Sequence, residues 1–174
     1  MNAVRLLRLG KAQQNIVEEL RTKLSAELKV PITIQEDTLN ILSFYDFDRS
    51  QYNSTEIIKQ LLQMYSKSSD KVLAVIDDDL YIPVLTFVFG EAQLDGLAAV
   101  VSYHRLQNEQ YGLPPNPELL SERLLKESLH ELGHTYGLIH CGNQICAMHI
   151  STSVEEVDMK GSTFCNNCKE FIGL

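Results

Sequence analysis

Three histidines and one glutamate near the carboxyl terminus have the spacing of a metal centre. They belong to the run HELGHTYGLIH, which begins at His130. If this run begins on a helix, His130 and His134 project from nearly the same face and can bind one metal ion together. Glu131 lies about 100° further round the helix, beside the ion and not on it. Gly137 can adopt the left-handed conformation that ends a helix, after which His140 can return to the same ion.

This ligand set predicts hydrolytic chemistry. Three imidazoles leave the fourth tetrahedral position of a zinc ion open for water, which is the pattern of a catalytic site. Zinc lowers the pKa of a bound water towards about 7, so hydroxide is available at neutral pH. Glu131 is then placed to take the proton during attack on a peptide carbonyl and to pass it to the departing amine. The alternative, helix-face histidines without a chemical role, is disfavoured by the spacing.

The cysteines predict a second metal site. Two cysteine pairs separated by a loop can supply four thiolates to a tetrahedral, structural zinc ion. Redox-active cysteines are the alternative, but the CxxC pair does not open a helix after a strand, as it does in thioredoxin-like proteins. Because the first cysteine directly follows His140, the second zinc would hold the segment that completes the first site. The four residues are Cys141, Cys146, Cys165 and Cys168.

Length and charge limit the remaining possibilities. A chain of 174 residues has the usual size of one domain. The 15 Lys and Arg against 23 Asp and Glu give a net charge of −8, and there is no long basic run, so nucleic acid is not an expected partner. No stretch approaches the roughly 18 apolar residues that a membrane helix needs. The first ten residues are interrupted by Arg too often for a signal peptide. We therefore expect a cytoplasmic protein, without a membrane partner and monomeric.

Apolar periodicity predicts the elements that must position these residues. Ser54 is the predicted N-cap of the second helix, and Asn116 is the predicted N-cap of the third. An Asp-rich run after the third strand is read as a solvated turn in preference to a calcium site. The predicted order is β-α-β-α-β-β-β-α, followed by a Cys-rich tail with little regular pattern, and one α/β domain is the simplest account. The predicted strands are 3–9, 31–36, 72–77, 84–89 and 97–103, and the predicted helices are 13–28, 54–65 and 117–136.

The two motifs together resemble a known family. HExxHxxGxxH followed by a methionine is similar to the metzincin metallopeptidases. A cysteine directly after the third histidine, with four cysteines in all, resembles the archaemetzincins in particular. The resemblance implies the same zinc ligands and general base as the spacing, and Gly137 as the turn glycine. It also makes Met148, which alone would be read as core filler, the Met-turn residue beneath the ligating imidazoles.

The resemblance also implies a fold. It is a twisted, mixed, five-stranded sheet with two backing helices and an active-site helix in residues 1–137, and a small zinc-bound subdomain in residues 138–174. Residues 84–92 are the candidate for an antiparallel edge strand that binds extended substrate, although a strand packed on all sides is equally compatible with this run. Ile150 stands where some metzincins have a tyrosine, so backbone groups or zinc would have to stabilise the oxyanion.

These observations predict a zinc metallopeptidase with two zinc ions, one catalytic and one structural, that cleaves peptides. A zinc-organised peptide-binding or regulatory module, with weak or conditional catalysis, is the alternative of a different class. A zinc hydrolase acting on a non-peptide amide is a third possibility, because the water chemistry is the same. The substrate, the cleavage preference and the choice between endo- and exopeptidase activity do not follow from the motifs.

Overall fold

A five-stranded sheet forms the centre of the computed structural model, which describes residues 1–36 and 39–174. The strand order is β2-β1-β5-β8-β7, and β7 alone runs antiparallel to its neighbour while the other pairs are parallel. The predicted twisted mixed sheet is therefore confirmed. Its strands are β1 (Val4–Arg8), β2 (Ile32–Glu36), β5 (Lys71–Ile76), β7 (Gly90–Ala92) and β8 (Ala98–Ser102).

Helices cover both faces of this sheet. The apolar side chains of β5 point alternately to the two faces, because successive side chains of a strand point to opposite sides. Leu73 and Val75 join one buried cluster with α1 and α3, whereas Val72 and Ala74 join another with α2. The two predicted backing helices, α1 and α2, thus lie on opposite faces, and α1 shares its face with the active-site helix. The helices are α1 (Gln14–Leu28), α2 (Ser54–Met64), α3 (Pro117–Thr135), α4 (Val154–Met159) and α5 (Asn166–Ile172).

The helix starts follow the predicted caps with one correction. Asn116 accepts a hydrogen bond from the backbone of Leu119 and caps α3 as predicted. The cap of α2 is Asn53, whose side chain accepts from the backbone of Glu56. The prediction of Ser54 as the cap was wrong by one residue, because its hydroxyl is buried and donates to the carbonyl of Tyr81.

The predicted strand 84–89 is wrong. This apolar run forms a turn after Pro83, and Val84 is 83% exposed. Side chains bind two of its backbone carbonyls: Arg49 binds those of Leu85 and Thr86, and Gln51 also binds the latter. Backbone bonds to strands begin at its last two residues, where Val88 N–H donates to Leu80 O and Phe89 O accepts from Ser102 N–H. The antiparallel edge strand expected within 84–92 is present only in its last three residues, as β7. The alternative of a strand packed on all sides is excluded, because β7 ends the strand order of its sheet.

Further elements appear where no periodicity predicted them. A small sheet of strands β3 (Tyr45–Asp46), β4 (Gln51–Asn53) and β6 (Leu80–Tyr81) lies beside the main one. The tail, predicted to have little regular structure, contains α4 and α5, which are too short to show a helical period. Within 1–36 and 39–174, no helix is long and apolar enough to cross a membrane.

Candidate active site

The end of α3 brings the three histidines together. The backbone N–H of Gly137 donates to the carbonyl of His134 at 2.9 Å, and that of Leu138 donates to Gly133 at 3.0 Å. This pair of bonds is a Schellman motif, and Gly137 has the positive φ, 90°, that the motif requires. The chain therefore reverses directly after the helix and returns His140 to the other two imidazoles, as the sequence predicts.

Backbone carbonyls orient two of the imidazoles. Nδ1 of His130 donates to Ala147 O at 2.9 Å, and Nδ1 of His134 donates to Leu138 O at 2.8 Å. A carbonyl oxygen only accepts, so in the neutral rings the proton lies on Nδ1 and the lone pair on Nε2. The two Nε2 atoms are 3.1 Å apart, and a nitrogen of His140 completes a set whose members all lie within 4.8 Å of one another.

The electrostatics of this set favour a metal cation over a proton. Burial, with the positive charge of Lys160 as the next cause, lowers the pKa of His130 to about 2. Burial also lowers the pKa of His134. Both rings are therefore neutral at ordinary pH, and two nitrogen lone pairs face each other at hydrogen-bond distance without a proton between them. Three converging imidazoles, two of them with a backbone carbonyl behind the ring, are a donor set that fits zinc.

Glu131 is buried next to the histidines and beneath the edge strand. Burial raises its pKa well above the ordinary value, and the negative charge of Glu127 raises it further. Gly90 of β7 packs directly on this side chain. A Cβ added at position 90 would lie 2.6 Å from Cγ and 2.7 Å from Oε1 of Glu131. The carboxylate thus occupies space that exists only because residue 90 is glycine.

A cleft of about 460 Å³ opens over these residues. Its lining includes the segment 85–92, which ends in the edge strand, and residues 150–152. The floor is α3, which contributes both glutamates and two of the histidines. Ile150, at the position where some metzincins have a tyrosine, is one of these lining residues. The cleft therefore joins an open sheet edge to the candidate metal centre.

Met148 lies on the inner side of the active-site helix. Its side chain is fully buried and its sulfur packs against Gly133, where an added Cβ would overlap it. The backbone around it is held at two points: Cys141 N–H donates to Met148 O, and Ala147 N–H donates to Thr163 O, both at 2.9 Å. The turn that carries Met148 also provides the carbonyl of Ala147 that orients His130.

The four cysteines form a second cluster of the predicted composition. The Sγ atoms of Cys141 and Cys165 are 3.8 Å apart, as are those of Cys146 and Cys168, and all four lie within 4.8 Å of one another. Four thiolates at a Zn–S distance of about 2.3 Å would have S–S separations of about 3.8 Å in a tetrahedron. The cysteines are free, not disulfide-bonded. Their spacing therefore fits one tetrahedral zinc ion.

These two clusters are the groups of His, Cys, Asp and Glu within 1–36 and 39–174 that could hold a metal ion. The Asp-rich run is not among them: it follows β5 as a bend, and Asp79 binds Arg105 there. His149, which the sequence placed outside the motif, bonds through Nδ1 to the carbonyl of Cys141 at 3.0 Å.

Sequence reasoning missed several residues that shape the site. Glu127 could have been noticed, because it lies one helical turn before Glu131 and so shares its face. Gly90 and Gly133 are glycines that the motif does not explain, and their roles depend on contacts with distant parts of the chain. Lys160 carries no local signal at all, since its burial depends on the packing of α4 against α3.

A comparison with known proteins agrees with these motifs. The model of peptidase family M54 matches residues 4–173. The archaemetzincin of Methanocaldococcus jannaschii is 48% identical over 124 residues, which are 71% of this chain and 67% of that protein. The predicted resemblance thus extends over residues 4–173.

Solved structures share the fold. A structure described as a zinc-dependent peptidase from Methanocorpusculum labreanum superposes with a TM-score of 0.88 at 32% identity, covering 97% of this chain and 99% of that one. The archaemetzincin of Archaeoglobus fulgidus, solved with malonate, gives a TM-score of 0.83 at 34% identity over the same shares. The chain is therefore a metallopeptidase that belongs to peptidase family M54, the family of the archaemetzincins.

Proposed function

We propose that this metallopeptidase hydrolyses peptide bonds at a zinc ion held by His130, His134 and His140, with Glu131 as general base. The observation that carries the proposal is the facing pair of Nε2 lone pairs, 3.1 Å apart, with Nδ1 of each ring committed to a carbonyl. A zinc ion bound there supplies a Lewis acid that polarises a peptide carbonyl and lowers the pKa of water.

Glu131 moves the proton in this scheme. Burial raises the pKa of its carboxyl, which makes it a stronger base than an exposed glutamate. Its carboxylate takes a proton from the attacking water and gives it to the nitrogen of the departing amine. Gly90 keeps the carboxylate close to the edge strand, so the proton acceptor lies next to the path of the substrate.

The cleft suggests how a peptide is held. The outer edge of β7 presents unpaired backbone groups beside α3, and an extended peptide can add a strand there. Main-chain hydrogen bonds of this kind do not depend on the side chains of the substrate. Ile150 offers no hydroxyl to the oxyanion, so this stabilisation falls to the metal and to backbone N–H groups.

A second, structural zinc ion is proposed for the four cysteines. With Gly137 as the turn and Met148 beneath the helix, it would organise residues 138–174 as a small subdomain attached to residues 1–137. The cluster begins one residue after His140, and its backbone bonds reach the turn of Met148. The predicted monomeric state and cytoplasmic location stay predictions.

The test combines metal analysis with peptide cleavage. Purified protein should contain up to two zinc ions per chain, and Glu131→Gln should keep both. Loss of a general base should lower the hydrolysis of a peptide library by a factor on the order of 10²–10⁴. Glu109→Gln, at an exposed glutamate away from the cleft, is the matched control and should hydrolyse normally.

Three results would count against the proposal. Equal turnover by the Glu131→Gln variant would remove the general base from the scheme. Peptide binding by fully zinc-loaded protein, without hydrolysis by either form, would favour the peptide-binding module instead. Hydrolysis of non-peptide amides alone would point to the third alternative.

A further inference from the structure

Lys160 is a charged side chain buried against the active-site helix. Its side chain is 0% exposed, and its Nζ lies 2.7 Å from Oε1 of Glu127, whose side chain is 4% exposed. The same ammonium group donates to the carbonyl of His149 at 3.3 Å. Lys160 follows α4 directly, so this one group connects three separated parts of the chain.

Both partners of the lysine adjoin the candidate metal centre. Glu127 lines the cleft one helical turn before Glu131. His149 follows the turn residues Ala147 and Met148, and the carbonyl of Ala147 is the group that orients His130. The ammonium therefore links the active-site helix to the turn that orients one of its ligands.

Stability alone does not explain a buried ion pair at this point. Removing two charges from water costs several kcal/mol for each ion, and replacing such a pair with apolar residues of similar volume is often neutral or stabilising. The pair does, however, set direction: the ammonium group donates to the carbonyl of His149 and forms an ion pair with the carboxylate of Glu127, so it holds two oxygens at defined positions, which an apolar contact cannot do. Because the pair lies between α3 and the turn 147–149, it can fix the orientation of the turn relative to the helix.

We propose that Lys160 is a positioning residue for peptide hydrolysis. By binding Glu127 and the carbonyl of His149 together, it holds the turn 147–149 against α3 and so keeps His130 in its metal-binding orientation. This inference rests on the proposed function, because it assigns the orientation of His130 to zinc binding.

The decisive variant replaces both charges. Lys160→Met alone would leave Glu127 buried without a partner, which is strongly destabilising. The double variant Glu127→Met with Lys160→Met removes both charges at similar volume, so we expect it to fold with an unfolding temperature close to that of the wild type. Residues that orient metal ligands typically affect metal affinity or activity by about 10- to 100-fold. We therefore expect zinc affinity at the histidine site to fall by about that factor, with kcat reduced and KM little changed.

Zinc affinity is measured by competition with a chelator, and the zinc ion of the cysteine site serves as an internal reference. Lys126→Met is the matched control. Lys126 is a second buried lysine and lies in α3, but it binds Glu122 and the carbonyl of Asp158 and not the turn 147–149. It is expected to lower stability and to leave zinc affinity and kcat unchanged.

A double variant that folds and keeps wild-type zinc affinity and kcat would overturn the proposal, because the pair would then be structural only. If the double variant does not fold, Glu127→Gln decides. Glutamine keeps the shape and an acceptor for Lys160 but leaves the buried ammonium group without its counter-charge. We therefore expect a lower unfolding temperature but, in the folded protein, zinc affinity within about threefold of the wild type. A 10- to 100-fold loss of zinc affinity in this variant would show that the charge of Glu127 matters and not the link that Lys160 makes between α3 and the turn. That result would also overturn the proposal.

The two proposals fail separately. If the wild type hydrolyses no peptide, the proposed function fails, while the zinc affinities still test the role of Lys160. If the wild type is active and the folded double variant matches it, only the role of Lys160 is wrong.

Discussion

Replacing Gly90 with alanine tests whether the edge strand positions Glu131, the proposed general base. An added Cβ would lie 2.6 Å from Cγ of Glu131, 2.8 Å from Cδ and 2.7 Å from Oε1. Ordinary contacts begin at 3.4 Å, so either the carboxylate or the strand has to move by about 3.4 − 2.6 = 0.8 Å. Both sides are confined, because Glu131 is buried and β7 is hydrogen-bonded to β8.

A displacement of this size has a calculable consequence. A misplacement of about 1 Å can cost about 100-fold in rate, so we expect kcat to fall roughly 30- to 100-fold, which is about 2–3 kcal/mol in activation free energy. The three atoms nearest to the added Cβ all belong to Glu131 and not to a histidine, so zinc content should be unchanged. If the strand moves instead of Glu131, its backbone leaves the cleft and KM should rise as well.

The assay is steady-state cleavage of one peptide from the library, with kcat and KM determined separately, together with zinc analysis and thermal unfolding. Gly142→Ala is the control, because a Cβ at position 142 would meet nothing within 4 Å. It should retain wild-type kinetics and stability. Wild-type kcat in the Gly90→Ala variant, with correct folding and full zinc, would refute the reasoning, because Glu131 would then tolerate the displacement.

Three further predictions concern packing, pH and metal coupling. Gly133→Ala places a Cβ on the sulfur of Met148 and should cost about 1–3 kcal/mol of unfolding free energy, with partial loss of zinc. Denaturant titration and metal analysis measure the two effects, and an unchanged denaturation midpoint would contradict the prediction. Burial raises the pKa of Tyr103 to about 12, so its stabilising contribution is complete below pH 10 and is lost as the pH rises through 12. Tyr103→Phe should remove this alkaline loss of stability in thermal melts between pH 8 and 12. At neutral pH it should cost about 1 kcal/mol of unfolding free energy, because the hydrogen bond from the Gln13 N–H is lost. Identical curves of unfolding temperature against pH for the two proteins would argue against this. Cys168→Ser should lower the zinc content of the histidine site as well as its own, and a full histidine site would show that the two are independent.

The parts of the site that sequence predicted depend on local geometry. A separation of four residues on a helix places two histidines side by side whatever the rest of the chain does. Gly137 was identifiable for the same reason, since a left-handed residue at the end of a helix determines where the next residues go. The buried strands were found because their apolar residues run without interruption, as in β5 and β8.

The errors come from interactions between residues distant in the sequence. The apolar run 84–89 has the composition of a strand, but side chains of Arg49 and Gln51 bind its carbonyls, and its exposed residues border the cleft. Tertiary contacts of this kind override the local preference for a strand, and no pattern within the run predicts them. The burial of Lys160 and the contact of Gly90 with Glu131 are unpredictable for the same reason.

The direct succession of His140 and Cys141 makes the two metal sites parts of one unit. The N–H of Cys141 binds the carbonyl of Met148, and its own carbonyl binds His149, so the segment between the two sites forms a closed loop. That loop also contains Ala147, whose carbonyl orients His130. A change in the cysteine cluster can therefore reach the histidine site through two routes, the position of His140 and the orientation of His130. We therefore expect the proposed peptide chemistry at the first site to depend on a second site that touches no substrate.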